Sequence, residues 1–301
     1  AITTLQPHYS YGLSIINTHL IKGACLIMTQ KTFFDKKFWE LFKKEKASTF
    51  GGVPFSFKIL KKINFNKINL PSLQYITQAG GKLEKKILKY FILISKKKNF
   101  KFFVMYGQTE ASPRMSYLHF KYNLKKIGSI GKPIKGGKFF LYDEKNKIIK
   151  KKNEVGELVY KGKNVMLGYA ENLNDLNKTK KKEKIYTGDL AYKDYDRFYY
   201  IVGRKSRFIK IFGIRINLDD IETHINKAGI NAAVSGEDEN IEIYLENLSK
   251  KEVLLSQLFN YFKIRKPQVS IFYVKKIPRN QSGKILYSKL KKITYGYSQR
   301  I

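Results

Sequence analysis

Gln108, Thr109 and Glu110 are three polar residues placed directly after an apolar run, residues 102–106, that Gly107 closes. The run predicts a buried strand ending at a turn. A hydroxyl and a carboxylate at the carboxyl end of such a strand have two readings. They face water in an ordinary loop, or they hold a ligand at the edge where open α/β sheets bind one. Three further groups could do chemistry: Asp189 in a Thr-Gly-Asp turn, Arg204 behind Gly203, and Lys284 in a Ser-Gly-Lys turn. Each alone is commonplace, a turn, a strand end and a solvated lysine. The four histidines (His8, His19, His119, His224) show no metal-ligand spacing, which argues against a structural zinc site. Cys25, the single cysteine, excludes an internal disulfide. Its setting in GACLIM predicts an inert residue of a buried strand.

The elements that must position these groups follow from periodicity. Residues 1–100 alternate helix and strand. A helix is predicted over 13–21 and a strand over 24–29. An amphipathic helix follows, with Phe34, Phe38, Leu41 and Phe42 on its apolar face. A short strand then breaks at Gly51–Gly52, and SFKILKKI forms a helix. A strand at 73–77 ends in a glycine pair. The helix LEKKILKYFILISKK leads to the strand carrying the polar triplet. This rhythm predicts a mostly parallel α/β sheet with helices on its faces. From about 127, short strands between Gly, Asp and Asn turns predict a β-rich subdomain. A boundary near 203–206 opens a small α+β domain. Its elements are a hairpin-like strand pair in RFIKIFGIRIN, a helix capped by Asn217 or Asp219, two strands, a helix and a strand. The expected organisation is a large domain over 1–203 (1–125 α/β, 126–203 β-rich) and a small mobile domain over 204–301.

The net charge of +35 first suggests nucleic acid. However, 51 of the 59 basic residues are Lys and only 8 are Arg, and they spread over almost the whole chain. Base and phosphate recognition favours Arg. Specific nucleic-acid binding is therefore not expected, and the KTKKKEK run at 178–184 reads as a solvated loop. No apolar run approaches the ~20 residues of a membrane span. A soluble, cytoplasmic protein is the expectation.

Four segments change the reading when set side by side: MYGQTEAS (105–112), YTGDLAYKDYDRFYYIVGR (186–204), FIKIFGIRINLDDIE (208–222) and PRNQSGKI (278–285). In this order and spacing they resemble the adenylate-forming superfamily of acyl-CoA synthetases, nonribosomal-peptide adenylation domains and D-alanyl carrier-protein ligases. GELVYKGKNVMLGY (156–169) and TQAGGKL (77–83) belong to the same resemblance, which covers essentially the whole chain. It implies a two-step reaction. A small carboxylic acid attacks the α-phosphate of ATP to form acyl-AMP. The thiol of CoA, or of phosphopantetheine on an acyl or peptidyl carrier protein, then takes the acyl group. By resemblance Glu110 holds Mg2+, Thr109 contacts phosphate, and Tyr106, with Gly107 behind it, lies against adenine. Gly80 and Gly81 let the backbone approach the nucleotide. Asp189 accepts from the ribose hydroxyls, and Arg204 reaches ribose or phosphate. Lys284 sits between the two reacting anions and offsets their repulsion. Ser206 stands at the hinge about which the small domain rotates, where many members have Asp or Lys. Gly213 lines the thiol's approach. His8, Tyr9, Gly52 and Val53 border the acyl pocket.

One family element is not found in the 301 residues, a Ser/Thr/Gly-rich phosphate loop ending in lysine. It would precede the segment PHYSYG (7–12). The expectation is therefore an N-terminally truncated fragment of an ATP-dependent acid:thiol ligase. The alternatives are a catalytically inactive remnant and, from another class, a basic nucleic-acid-binding protein.

Overall fold

The computed structural model describes residues 1–177, 183–280 and 283–290. Most of the KTKKKEK run and two residues of PRNQSGKI, Gln281 and Ser282, lie outside the described residues. The chain divides into two compact units, Ala1–Val202 and Gly203–Ile301.

In the first unit, β1 (Ile2–Thr3) and β2 (Ile27–Met28) pair in parallel and flank α1 (Ser10–Leu20). α2 (Lys36–Lys44) buries Phe38, Trp39 and Phe42. Phe34, expected on that face, is 53% exposed. The helix begins only after Asp35, and Trp39 takes the inward place, its indole N–H donating to the Phe33 carbonyl at 2.9 Å. Cys25, expected in a buried strand, is exposed. Only Ile27 and Met28 of the GACLIM run pair as a strand, so Cys25 lies before it in loop.

A five-stranded sheet follows, in the order β3 (Thr49–Gly52), β4 (Tyr75–Gln78), β5 (Lys101–Gly107), β6 (Arg114–Leu118), β7 (Lys132–Pro133). β3, β4 and β5 run parallel through crossover helices α3 (Pro54–Lys62) and α4 (Lys85–Lys97). β6 and β7 add on antiparallel. One face of the parallel part packs on an aromatic core that includes Phe38, Phe57, Phe65, Phe91 and Phe102. Burial of such rings is the dominant favourable contribution here. A second, antiparallel sheet orders its strands β11–β10–β9–β8. These are β8 (Lys138–Tyr142), β9 (Gly156–Lys161), β10 (Lys184–Lys193) and β11 (Tyr199–Arg204), with the short α5 (Leu173–Asn177) between β9 and β10.

The second unit opens with a hairpin, β12 (Phe208–Ile211) and β13 (Ile214–Asn217). Its two-residue turn, Phe212 (φ 50°) and Gly213 (φ 75°), has both residues left-handed, the geometry that matches strand twist. The Asn217 side chain caps α6 (Leu218–Lys227) by accepting from the Asp219 N–H at 3.0 Å. β14 (Ala232–Glu237), β15 (Asn240–Leu245) and β16 (Val269–Tyr273) form a sheet in that order, with α7 (Lys251–Phe262) crossing between the parallel pair β15 and β16. Its core is aliphatic, with Ile221, Ile225, Ile243, Leu254 and Ile271 buried. Among the described residues no helix is long and apolar enough to cross a membrane.

Candidate active site

The polar triplet sits on a built loop. The β5–β6 register shifts between Tyr106 and Gly107, a bulge that turns the chain out of the sheet. Gly107 is required there, because a Cβ would lie 1.9 Å from the Pro113 carbonyl oxygen. The Gln108 N–H donates to that oxygen at 2.9 Å. Thr109–Ala111 then make one 3-10 turn. The Thr109 and Ser10 hydroxyls hydrogen-bond at 3.0 Å, which ties the loop to the start of α1. Glu110 is held at two points. Its carbonyl accepts from the Met166 N–H at 2.8 Å, and its carboxylate accepts from the Tyr169 hydroxyl at 2.7 Å. That hydrogen bond to Glu110 pushes the Tyr169 phenol upward, so Tyr169 stays the donor.

Asp189 arrives from the second sheet. β10 advances four residues, Tyr186 to Leu190, while β9 advances two. Thr187, Gly188 and Asp189 thus stand opposite the single residue Leu158, with Gly188 at φ 69°. The Thr187 hydroxyl donates to the Leu158 carbonyl at 2.7 Å and accepts from the Asp189 N–H at 3.1 Å, which fixes the bulge. Asp189 is only 4% exposed, and a buried carboxylate needs partners. The Tyr106 hydroxyl donates to it at 2.5 Å. The Gln108 amide donates to the Thr187 carbonyl at 2.7 Å. Two sheets thus meet at one rim, where Thr109, Glu110, Tyr106 and Asp189 are neighbours.

On the other side of β4, Gly80 takes φ 82°. A Cβ there would meet the Tyr9 hydroxyl at 2.5 Å and Val53 Cγ1 at 3.2 Å. Tyr9 and Val53 share an apolar cluster with Tyr11, Ile15 and Met105. Gly81 accepts from the Gln78 amide at 2.8 Å. At Gly52 a Cβ would press on Ser56 Cβ at 2.9 Å. The structure therefore groups Tyr9, Val53 and Gly80, whereas His8 is exposed.

Arg204 ends β11 and is exposed. In the second unit Ser206 lies in the turn Lys205–Arg207, and Gly213 sits at the hairpin tip. Lys284 stands on a tight loop. Its N–H donates to the Asn280 side chain at 2.9 Å, and the Asn280 N–H donates to the Lys284 carbonyl at 2.9 Å.

Ser10, Asn164 and Tyr169 are not singled out by the sequence, and Gln108 and Thr187 stand in it without the roles the fold gives them. Ser10, Gln108, Thr187 and Tyr169 hold the loop and the bulge, and Asn164 donates to the Ala111 and Arg114 carbonyls at 2.5 and 2.9 Å. Tyr169 and Asn164 lie in GELVYKGKNVMLGY, but only the folded contact gives them a role. Among the described residues no group of three or more His, Cys, Asp or Glu could cage a metal ion. A single carboxylate, Glu110, still suits magnesium, which binds through one or two carboxylates, substrate phosphates and water.

A family profile described as AMP-binding enzyme matches residues 1–170. The chain belongs to the AMP-binding enzyme family. It is 29% identical over 298 residues to 2-succinylbenzoate–CoA ligase of Geobacillus sp. (strain WCH70), covering 94% of this chain and 58% of that protein. It is 28% identical over 285 residues to oxalate–CoA ligase of Saccharomyces cerevisiae, covering 90% of this chain and 51% of that one. The fold matches O-succinylbenzoate coenzyme A synthetase from Bacillus subtilis in complex with AMP, with a TM-score of 0.77 at 24% identity, over 96% of this chain and 60% of that one. The chain thus spans between half and three fifths of the length of these relatives.

Proposed function

We propose that this chain carries the nucleotide and acid sites of an ATP-dependent acid:thiol ligase. A carboxylic acid would be activated as acyl-AMP with release of pyrophosphate. Its acyl group would then pass to the thiol of CoA or of a carrier-protein phosphopantetheine. CoA is favoured as acceptor, since the relatives above are named as CoA ligases. The observation that carries the reading is the rim itself, where Tyr106 from one sheet binds Asp189 from the other beside Thr109 and Glu110.

The chemistry suits those groups. Asp189 is an oriented acceptor for two adjacent ribose hydroxyls, and Tyr106 gives the adenine a flat wall. Thr109 offers a hydroxyl to phosphate. Glu110 would hold magnesium, which neutralises charge on the phosphates. The glycines at 80 and 81 leave room for backbone next to the acyl phosphate. Lys284 would bring its ammonium between carboxylate and α-phosphate in the first step, with Arg204 on the ribose side. Ser206 would serve as the hinge of a small domain over 204–301, and Gly213 would line the thiol path in the second step.

The test is acid-dependent ATP–pyrophosphate exchange, run over a panel of acids with a complete protein that contains these residues. Exchange that requires an acid and disappears in Asp189→Ala supports the reading. Exchange indifferent to Asp189 contradicts it.

A further inference from the structure

A cavity of about 60 Å³ lies against the sheet on the side of α1. Ile15, His19, Gly51, Tyr75, Thr77 and Arg114 line it. It adjoins the apolar cluster of Tyr9, Tyr11 and Val53 through shared Ile15 and through Tyr11, whose hydroxyl lies 2.6 Å from that of Thr77. Its volume exceeds that of one water and fits a small polar group.

Arg114 gives the cavity its character. In a chain with 51 Lys and 8 Arg it is the only arginine before Arg197. It is half-buried, no carboxylate lines the cavity, and among the described residues no hydrogen bond or ion pair satisfies its guanidinium. Its charge is felt by Tyr11, a phenol that burial keeps neutral. A partly desolvated cation without an anion is costly, and a guanidinium fork matches a carboxylate in two parallel hydrogen bonds. Ala1 also lines the cavity, its terminal ammonium donating to the Cys25 carbonyl at 2.7 Å, and the Thr18 hydroxyl donates to the Ser14 carbonyl at 2.6 Å. His19 Nδ1 donates to the Ile15 carbonyl at 2.7 Å. Nε2 lies 3.1 Å from the Tyr75 hydroxyl and hydrogen-bonds with it. His19 and Tyr75 are thereby fixed as a wall, and the Arg114 guanidinium is the fork that an anion entering the cavity would meet.

We infer that the acid taken by this site carries a second carboxylate, which Arg114 binds in this cavity while the first faces the rim at Thr109. The inference rests on the ligase reading of that rim. A dicarboxylic acid is then distinguished from its monocarboxylic analogue by one buried charge pair.

The test uses the 301-residue chain and calorimetric titration with matched pairs: succinate against butyrate, glutarate against pentanoate, phthalate against o-toluate. AMP is titrated separately. The net charge of +35 attracts any dianion weakly, so the variant comparison decides. At least one dicarboxylate should bind roughly 10–100-fold more tightly than its partner, the worth of a charged hydrogen-bonded contact. Arg114→Gln should remove that preference and leave the monocarboxylate unchanged. Lys135→Gln, a change at an exposed lysine that does not line the cavity, should leave it intact. Arg114→Gln without effect, while AMP still binds, overturns the subsite and spares the ligase reading. An Arg114-dependent dicarboxylate preference without AMP binding keeps the anion subsite and overturns the nucleotide rim.

Discussion

At the scale of single residues, the site depends on a few atoms with no room to move. Gly107 is the plainest case. A methyl group in place of its hydrogen would sit 1.9 Å from the Pro113 oxygen, and neither backbone segment can yield without opening the bulge. Gly107→Ala should destabilise the first unit by about 2 kcal/mol or more, read as a lower denaturant midpoint. Glu110→Gln keeps the shape and the hydrogen bond from Tyr169 but removes the charge. In a complete enzyme it should raise the magnesium concentration needed for half-maximal adenylation. An unchanged magnesium titration would remove Glu110 as the ligand. Thr109, Glu110 and Asp189 were legible in the sequence because their neighbours repeat a known pattern. Arg114 and Ser10 were not. Each lies in a stretch that reads as ordinary strand or helix, and its importance comes from residues far away in the chain: Thr77 faces the Arg114 cavity, and Thr109 bonds Ser10.

At the scale of elements, the sequence reads best where periodicity is strong. The crossover helices and the strands between them follow from apolar spacing. So do the hairpin at 208–217 and the Asn217 cap. Reading failed at edges. The GACLIM run looks buried throughout, yet only two residues pair and Cys25 is exposed. β6 was missed because a short strand added to a sheet edge carries little alternation of its own, and β7, within the stretch read as β-rich, instead extends the first sheet. The second unit also holds a polar cluster that no pattern announces. Arg207 donates to Asp219 at 2.7 Å and to the Val234 carbonyl at 2.5 Å, and lies 3.4 Å from Glu222. The Tyr287 hydroxyl donates to Glu222 at 2.8 Å, with the guanidinium over its ring. Arg207→Ala leaves Glu222 buried without its cation and should cost about 3 kcal/mol of second-unit stability. Burial also holds the Glu222 carboxyl above the ordinary glutamate range. The folded state therefore keeps that proton longer than the unfolded state does. This group's contribution is full below the ordinary range and is lost as pH rises through the raised value. Glu222→Gln should flatten that part of the stability–pH curve in urea titrations. A curve of unchanged slope would show that Glu222 ionises normally.

At the scale of the whole molecule, the first step of the proposed reaction draws on both units, the rim from one and Lys284 from the other. Lys284→Ala in a complete enzyme should slow acyl-AMP formation by roughly 10²–10³ while sparing thiol transfer from supplied acyl-AMP. Equal loss in both half-reactions would take Lys284 out of its role. The central claim is that Tyr106, Asp189, Thr109 and Glu110 form the adenylate-binding rim. Calorimetric titration of the 301-residue chain with AMP, beside Asp189→Ala, tests it most directly. The account predicts saturable AMP binding that Asp189→Ala weakens by roughly 10-fold or more, the worth of hydrogen bonds to a charged acceptor, with the far-ultraviolet circular dichroism unchanged. AMP binding of equal strength in the folded variant, or none in the parent chain, would contradict it.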